Sequence, residues 1–390
     1  MELEIITIIK SYMEGEINNC IKVYLLASVS LFYCYVAGKI VPKGKLRLFS
    51  LIPVVCLNLL LPLNLHTMHL QGLTAFFIAW LANFKLLLFA FGKGPLSNPF
   101  LSPSLFIALA CFPIKINETP SPKQLKDHNK ENMSPKTSQN GHSEQNPSPK
   151  TCQKGLKPIW NYAIKFLCIA ILLRLYGYSE HFHPKLLWCV YSLHMYLALE
   201  TLLAIVAALA RALWGMELEP QFNEPYLSTS LQDFWGRRWN IMVTRILRPT
   251  VYEPVLHTSS RVMGRKWAPL PAIFSTFLVS AIMHELIFYY LGRTWPTWEI
   301  TGFFLLQGVA LMVEVAIKKA FSGRWQLPWI VTAPLTIGFV MVTAFWLFFP
   351  PFLRCKSMER TFAEYAAMGS FVKDVGTALT SKYLNNVTTV

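Results

Sequence analysis

Residues 271–291, PAIFSTFLVSAIMHELIFYYL, form an apolar run with an imidazole and a carboxylate, His284 and Glu285, inside it. As a helix the run is long enough to cross the roughly 30 Å of a bilayer's hydrocarbon. At 1.5 Å per residue His284 lies ~20 Å beyond Pro271, too deep to reach water by extending its side chain. An ionisable group at such depth costs a few kcal/mol on insertion scales and marks function by default. On a 3.6-residue period Ser280, Ala281 and Phe288 share the His284 face, and the small neighbours leave room for a substrate or a second helix. Glu285 points about 100° away, toward a neighbouring helix rather than toward His284.

The rest of the chain has the same character. Of 390 residues 53% are apolar and only 15% charged, and the mean hydropathy is positive at +0.37, which excludes an ordinary soluble protein. Apolar runs at 20–41, 47–65, 69–91, 158–176, 185–213, 268–291, 298–318 and 327–350 predict eight spans and an all-α, polytopic transmembrane fold. A shorter run, 102–114, holds Pro103 and Pro113 and is expected to be re-entrant or interfacial. Residues 1–19 carry Glu2, Glu4, Glu14 and Glu16 where a signal peptide carries positive charge, and Ile5, Ile6, Ile8 and Ile9 suit a short interfacial helix. Residues 117–157, rich in Pro, Ser, Lys, Asn and Gln, bury too little to order themselves and predict a disordered polar loop. They divide the first membrane helices, 20–116, from a membrane-embedded catalytic region, 158–350, and a C-terminal tail, 351–390.

The net charge of +15 sits in the loops between apolar runs, where it sets topology; nucleic acid is not an expected partner. Lys39, Lys43, Lys45 and Arg47 place the first connection in the cytoplasm and the N-terminus in the lumen. The same alternation places 117–157, 214–267 and the Lys318/Lys319 connection in the cytoplasm. It sends the residues after Pro350 to the lumen, against the bias of Arg354, Lys356 and Arg360. The eight cysteines are scattered without metal-ligand spacing and read as buried thiols, so no metal site is expected. Among other ionisable groups in apolar runs, Lys85, Arg174 and Arg211 are expected to snorkel from span ends, and Glu200 and Glu314 to pair with one of them.

A second stretch precedes the His284 helix: residues 233–240, DFWGRRWN, with Arg245 and Arg248 close behind. The arginines suit an anionic group arriving from the cytosol, and Trp235 and Trp239 suit an interfacial depth. An aromatic belt with positive-inside arginines explains that composition equally well. It does not explain Asn240 among them.

Residues 217–227 leading through Ser230, Leu231 and Gln232 into 233–240, then Met283-His284-Glu285-Leu286, resemble the plant wax synthases. So do residues 80–94, 111–116 and 296–299. The likeness covers nearly the whole chain, and Phe234-Trp235, Trp239-Asn240 and His284-Glu285 further resemble the paired motifs of membrane-bound O-acyltransferases. That resemblance implies His284 and Asn240 as the catalytic pair, transfer from acyl-CoA to a lipophilic alcohol, an endoplasmic reticulum membrane and no cofactor. It points first to a long-chain fatty alcohol and a long-chain acyl-CoA, giving a wax ester, with a sterol, a diacylglycerol or a terpenoid alcohol as alternative acceptors and acetyl-CoA as an alternative donor; oligomeric state is open. Trp235, Arg237, Arg238, Trp239 and Arg245 are the residues expected to bind acyl-CoA. A neutral buried imidazole suits a general base, and Asn240 suits orientation or oxyanion stabilisation. A transporter using His284, Glu285 and Glu200 as a relay is the competing class, but the internal repeat it predicts is not found in the sequence.

Overall fold

The structure, a computed structural model, describes residues 2–112, 159–214, 221–321 and 328–388. Among these no strand occurs, as expected where each segment must satisfy its own backbone in lipid. The helices are α1 (Glu2–Ile40), α2 (Lys45–Leu60), α3 (Met68–Ala90), α4 (Pro103–Cys111), α5 (Ile159–Tyr176), α6 (Pro184–Trp214), α7 (Ile241–Leu247), α8 (Glu253–Trp267), α9 (Pro269–Gly292), α10 (Glu299–Ala320), α11 (Trp329–Arg354) and α12 (Ser357–Thr388). Among the described residues seven are long and apolar enough to cross a membrane: α1 from Gly15, α2 with its extension to Asn64, α3, α6, α9, α10 and α11. The eighth expected crossing is α5, 18 residues and about 27 Å long. The run at 102–114 yields α4, whose nine residues reach only about 14 Å. The predicted loop 117–157 lies outside the described residues.

Residues 1–19 were expected to form a separate interfacial helix, but the structure continues them into the first crossing as the single 39-residue α1. No proline interrupts them, and a helix once nucleated propagates cheaply. Glu16, on this stretch, is buried, and its Oε1 accepts from His66 N at 2.5 Å and Thr67 N at 2.8 Å.

Contacts divide the chain into two compact units, Met1–Ile114 with Leu218–Val390, and Lys115–Glu217. In the smaller unit α5 and α6 pack as a hairpin around an ion pair between Lys165 and Glu200, with Tyr176 stacked on Tyr191 at 5.6 Å. The expected partner for Glu200 was Lys85, Arg174 or Arg211; Lys165 takes that place.

The larger unit is built on stripes. Val23, Ala27, Leu31 and Cys34 bury one face of α1, while Ile21, Leu25, Val29 and Phe32 lie exposed on the others, the pattern of a helix facing hydrocarbon rather than water. Its end is tied down by buried Arg47, which donates to Gly38 O at 2.8 Å and Val41 O at 2.7 Å, neutralising carbonyls left unpaired at a helix C-terminus. Lys85 follows the same logic. It does not snorkel: it is 6% exposed, and its Nζ donates to Leu109 O at 2.5 Å and Phe112 O at 2.7 Å, at the C-terminus of α4.

α12 closes this unit by returning to the start of α3. Glu364 accepts from Met68 N and from His69 N (3.2 Å) and meets His69 Nδ1 at 2.6 Å. Arg360 donates to Leu291 O, at the end of α9, and to His66 O. Burial, with Glu364 alongside, pushes the Tyr365 phenol up from its ordinary value. Glu364→Ala strands the Met68 and His69 amides and is expected to cost about 1–3 kcal/mol. The measurement is hydrogen exchange, with faster exchange at the start of both α3 and α12; unchanged protection there would refute the cap.

Candidate active site

α9 and α10 pack tightly where Gly308 has no side chain: a Cβ there would lie 2.9 Å from Phe277 Cβ. Glu285 joins them as well, its Oε1 accepting from Thr301 N at 2.9 Å and Thr301 Oγ1 at 3.0 Å in the first turn of α10. The carboxylate therefore caps a neighbouring helix and leaves His284 to other partners, as its 100° offset predicts.

On the adjoining face of α9, Ile273, Thr276, Phe277, Ser280 and His284 line a cavity of about 400 Å³. The spacing is that of one helical stripe. α10 contributes Phe304, Leu311 and Val315, and the segment before α9 contributes Trp235, Arg237, Trp239, Asn240, Arg248 and Tyr252.

His284 Nδ1 lies 2.7 Å from Ser280 O. A carbonyl can only accept, so Nδ1 carries the proton of the neutral ring and Nε2 keeps its lone pair. The imidazole is clamped between Phe304, 4.2 Å away centroid to centroid, and Trp80, edge-on at 5.3 Å. These neighbours hold the ring against rotation.

Asn240 reaches the same cavity from a strained backbone, φ 42° and ψ 64°, just before α7. Asparagine tolerates this left-handed conformation better than most residues. Its side chain does not cap α7, and its buried Oδ1 has no hydrogen-bond partner. A half-turn about the last side-chain bond would present Nδ2 instead, so the amide offers the cavity either a donor or an acceptor.

The helical segment before Asn240 is fixed at its start by Ser230 Oγ, which accepts from Asp233 N at 3.1 Å, and by Glu314, which accepts from Leu231 N at 2.7 Å. Glu314 also pairs with Lys318 at 2.7 Å, in place of the expected Lys85, Arg174 or Arg211. Trp235 Nε1 donates to Gln307 Oε1 at 3.2 Å, and Gln307 Nε2 donates to Thr343 Oγ1 at 2.7 Å. Trp239 stacks on Phe234 at 5.5 Å.

The predicted cationic group separates. Arg237 lines the cavity and Arg248 joins it, whereas Arg238 and Arg245 are not among its lining residues. Arg238 instead pairs with Asp233 at 2.6 Å and donates to Asn223 O and Glu224 O, both at 3.3 Å. It braces the loop that carries Asn240. Sequence reasoning did not single out Trp80, Phe304, Gln307 or Tyr252. The available signal was Gln307, an amide in the middle of the 298–318 apolar run.

The family model for membrane bound O-acyl transferases matches residues 218–306, which hold both Asn240 and His284. Acyl-CoA–sterol O-acyltransferase 1 of Arabidopsis thaliana is 46% identical over 93% of this chain and 98% of its own. The long-chain-alcohol O-fatty-acyltransferase of Simmondsia chinensis and the probable long-chain-alcohol O-fatty-acyltransferase 3 of Arabidopsis thaliana are each 42% identical over 93% of this chain and 97% of theirs. With relatives so similar from end to end, the chain belongs to the membrane-bound O-acyltransferase family and is an O-acyltransferase.

Proposed function

We propose that the protein moves the acyl group of an acyl-CoA to the hydroxyl of a lipophilic alcohol, foremost a long-chain fatty alcohol, forming a wax ester in the endoplasmic reticulum membrane. The observation that supports this most is His284, whose Nδ1 is engaged by Ser280 O so that Nε2 is left to act as the base, lining the same cavity as Asn240, whose Oδ1 has no hydrogen-bond partner. Nε2 takes the alcohol proton as the oxygen attacks the thioester carbonyl, forming the C–O bond. The Asn240 amide, turned with Nδ2 inward, donates to the developing oxyanion. Collapse breaks the C–S bond, and the imidazolium returns its proton to the departing sulfur. A thioester carries its own leaving group, so the step requires no enzyme-bound acyl intermediate.

Arg237 and Arg248 at the cavity are the cations for the coenzyme A phosphates. Trp235, Trp239, Phe277 and Phe304 form an apolar wall that receives hydrocarbon and keeps water off the thioester, favouring esterification over hydrolysis.

A sterol acceptor is the second reading, favoured by the 46% identity to a sterol acyltransferase. Microsomes holding the expressed chain, given palmitoyl-CoA with an equimolar mixture of hexadecanol and a plant sterol, decide between them by product mass. Palmityl palmitate as the main product is expected. A steryl ester would reassign the acceptor, and no ester from any alcohol, with protein shown to be inserted, would overturn acyl transfer.

A further inference from the structure

The second half of α8 has no use in the site described above. Not one residue of α8 is buried, and residues 261–267, RVMGRKW, are exposed throughout. Val262 is 82% exposed, Met263 48% and Trp267 41%. Interleaved with them are Arg261, Arg265 and Lys266, and no acidic residue occurs between Glu253 and Glu285. Apolar and cationic side chains in one short exposed stretch are unsuited to bulk water. They match the boundary of a bilayer, where hydrocarbon lies beneath and phosphate above.

The depth of the stretch is fixed by its neighbours. Ala268 is buried and the membrane-crossing α9 begins at Pro269, so 261–267 ends where hydrocarbon begins. Lys319, in the last turn of the crossing helix α10, donates to Lys266 O at 2.7 Å and adds another cation at that level. Two further details suit a surface seat. Arg261 Nη2 donates to His257 Nε2 at 2.8 Å, which holds the guanidinium along the helix. Gly264, at φ 76° with open space around it, breaks the helix between the Val262/Met263 and Trp267 anchors and lets each settle separately.

We infer that residues 261–267, with Lys319, form a seat for the anionic phospholipid headgroups of the leaflet from which α9 enters the membrane. Charge complementarity selects this occupant, since each cation near an anionic surface raises local partition roughly fivefold. The seat is continuous in sequence with the turn Arg248–Tyr252, whose two end residues line the cavity. Anionic lipid on α8 therefore anchors one wall of the cavity at the membrane surface.

The test reconstitutes the full-length protein in phosphatidylcholine vesicles with or without about 30% phosphatidylserine. Trp267 is read as the difference in emission between wild type and W267F, with one or the other lipid brominated as quencher. Brominated phosphatidylserine is expected to quench Trp267 at least twofold more than brominated phosphatidylcholine at equal mole fraction. The R261Q/R265Q/K266Q variant is expected to equalise the two while keeping its ester-forming rate in pure phosphatidylcholine. Equal quenching in the wild type, or none from either lipid, would overturn the inference. So would a triple variant whose KM for acyl-CoA rises in pure phosphatidylcholine, because the cations would then be serving coenzyme A phosphates.

Discussion

Replacing His284 by alanine is expected to lower ester formation by about 10²–10⁴-fold, the range for loss of a positioned general base. The effect should fall on kcat, because the ring's role is to accept a proton while Phe304 and Trp80 supply the surrounding contacts. The vacancy left between two aromatic walls suggests its own control. Added imidazole, which fits where the side chain was, should restore part of the rate, with a dependence on pH that follows the added base. A His284→Ala protein that turns over at near wild-type rate would remove the residue from the chemistry. Loss without rescue, in protein that elutes as wild type, would point to a structural role for the ring.

Asn240 carries the second large effect, and two substitutions separate its two contributions. Asn240→Asp keeps a residue tolerant of the left-handed backbone at φ 42° but replaces the amide donor with an acceptor-only carboxylate. A loss of about 10²–10³-fold in kcat is expected, the scale for one oxyanion donor. Asn240→Gly relaxes the backbone and deletes the amide, so it should be at least as stable as the wild type yet comparably inactive. If the glycine variant retains full activity, the residue serves the backbone turn alone.

The crossings were legible because lipid imposes a length. The run at 69–91 became Met68–Ala90 and that at 268–291 became Pro269–Gly292, each displaced by a single residue at either end. Periodicity also placed Ser280 beside His284 and turned Glu285 away from it, whereas Ala281 and Phe288, expected on the same face, are not among the cavity's lining residues. What a period cannot supply is the identity of the opposing surface. Trp80 lies some two hundred positions before the imidazole it touches, and only the packing of α3 against α9 brings them together. Lys85 looked close enough to a span end to snorkel, yet the carbonyls of α4 were a nearer destination for its ammonium. Arg237 and Arg238 are neighbours in sequence with identical chemistry. Their different fates depend on Asp233, which captures one and leaves the other beside the cavity.

The pairing of Glu364 with the Met68 amide joins positions 296 residues apart in the chain. At a synthesis rate of about 5–20 residues per second, the partner emerges about 15–60 s after the amide it completes. For that interval the first helices exist in the membrane with Glu16 as the carboxylate that, among the described residues, holds this turn. Final assembly of the bundle is thus a late event in biogenesis, and the nascent N-terminal half depends on the insertion machinery to shelter an unfinished helix end until the last segment arrives.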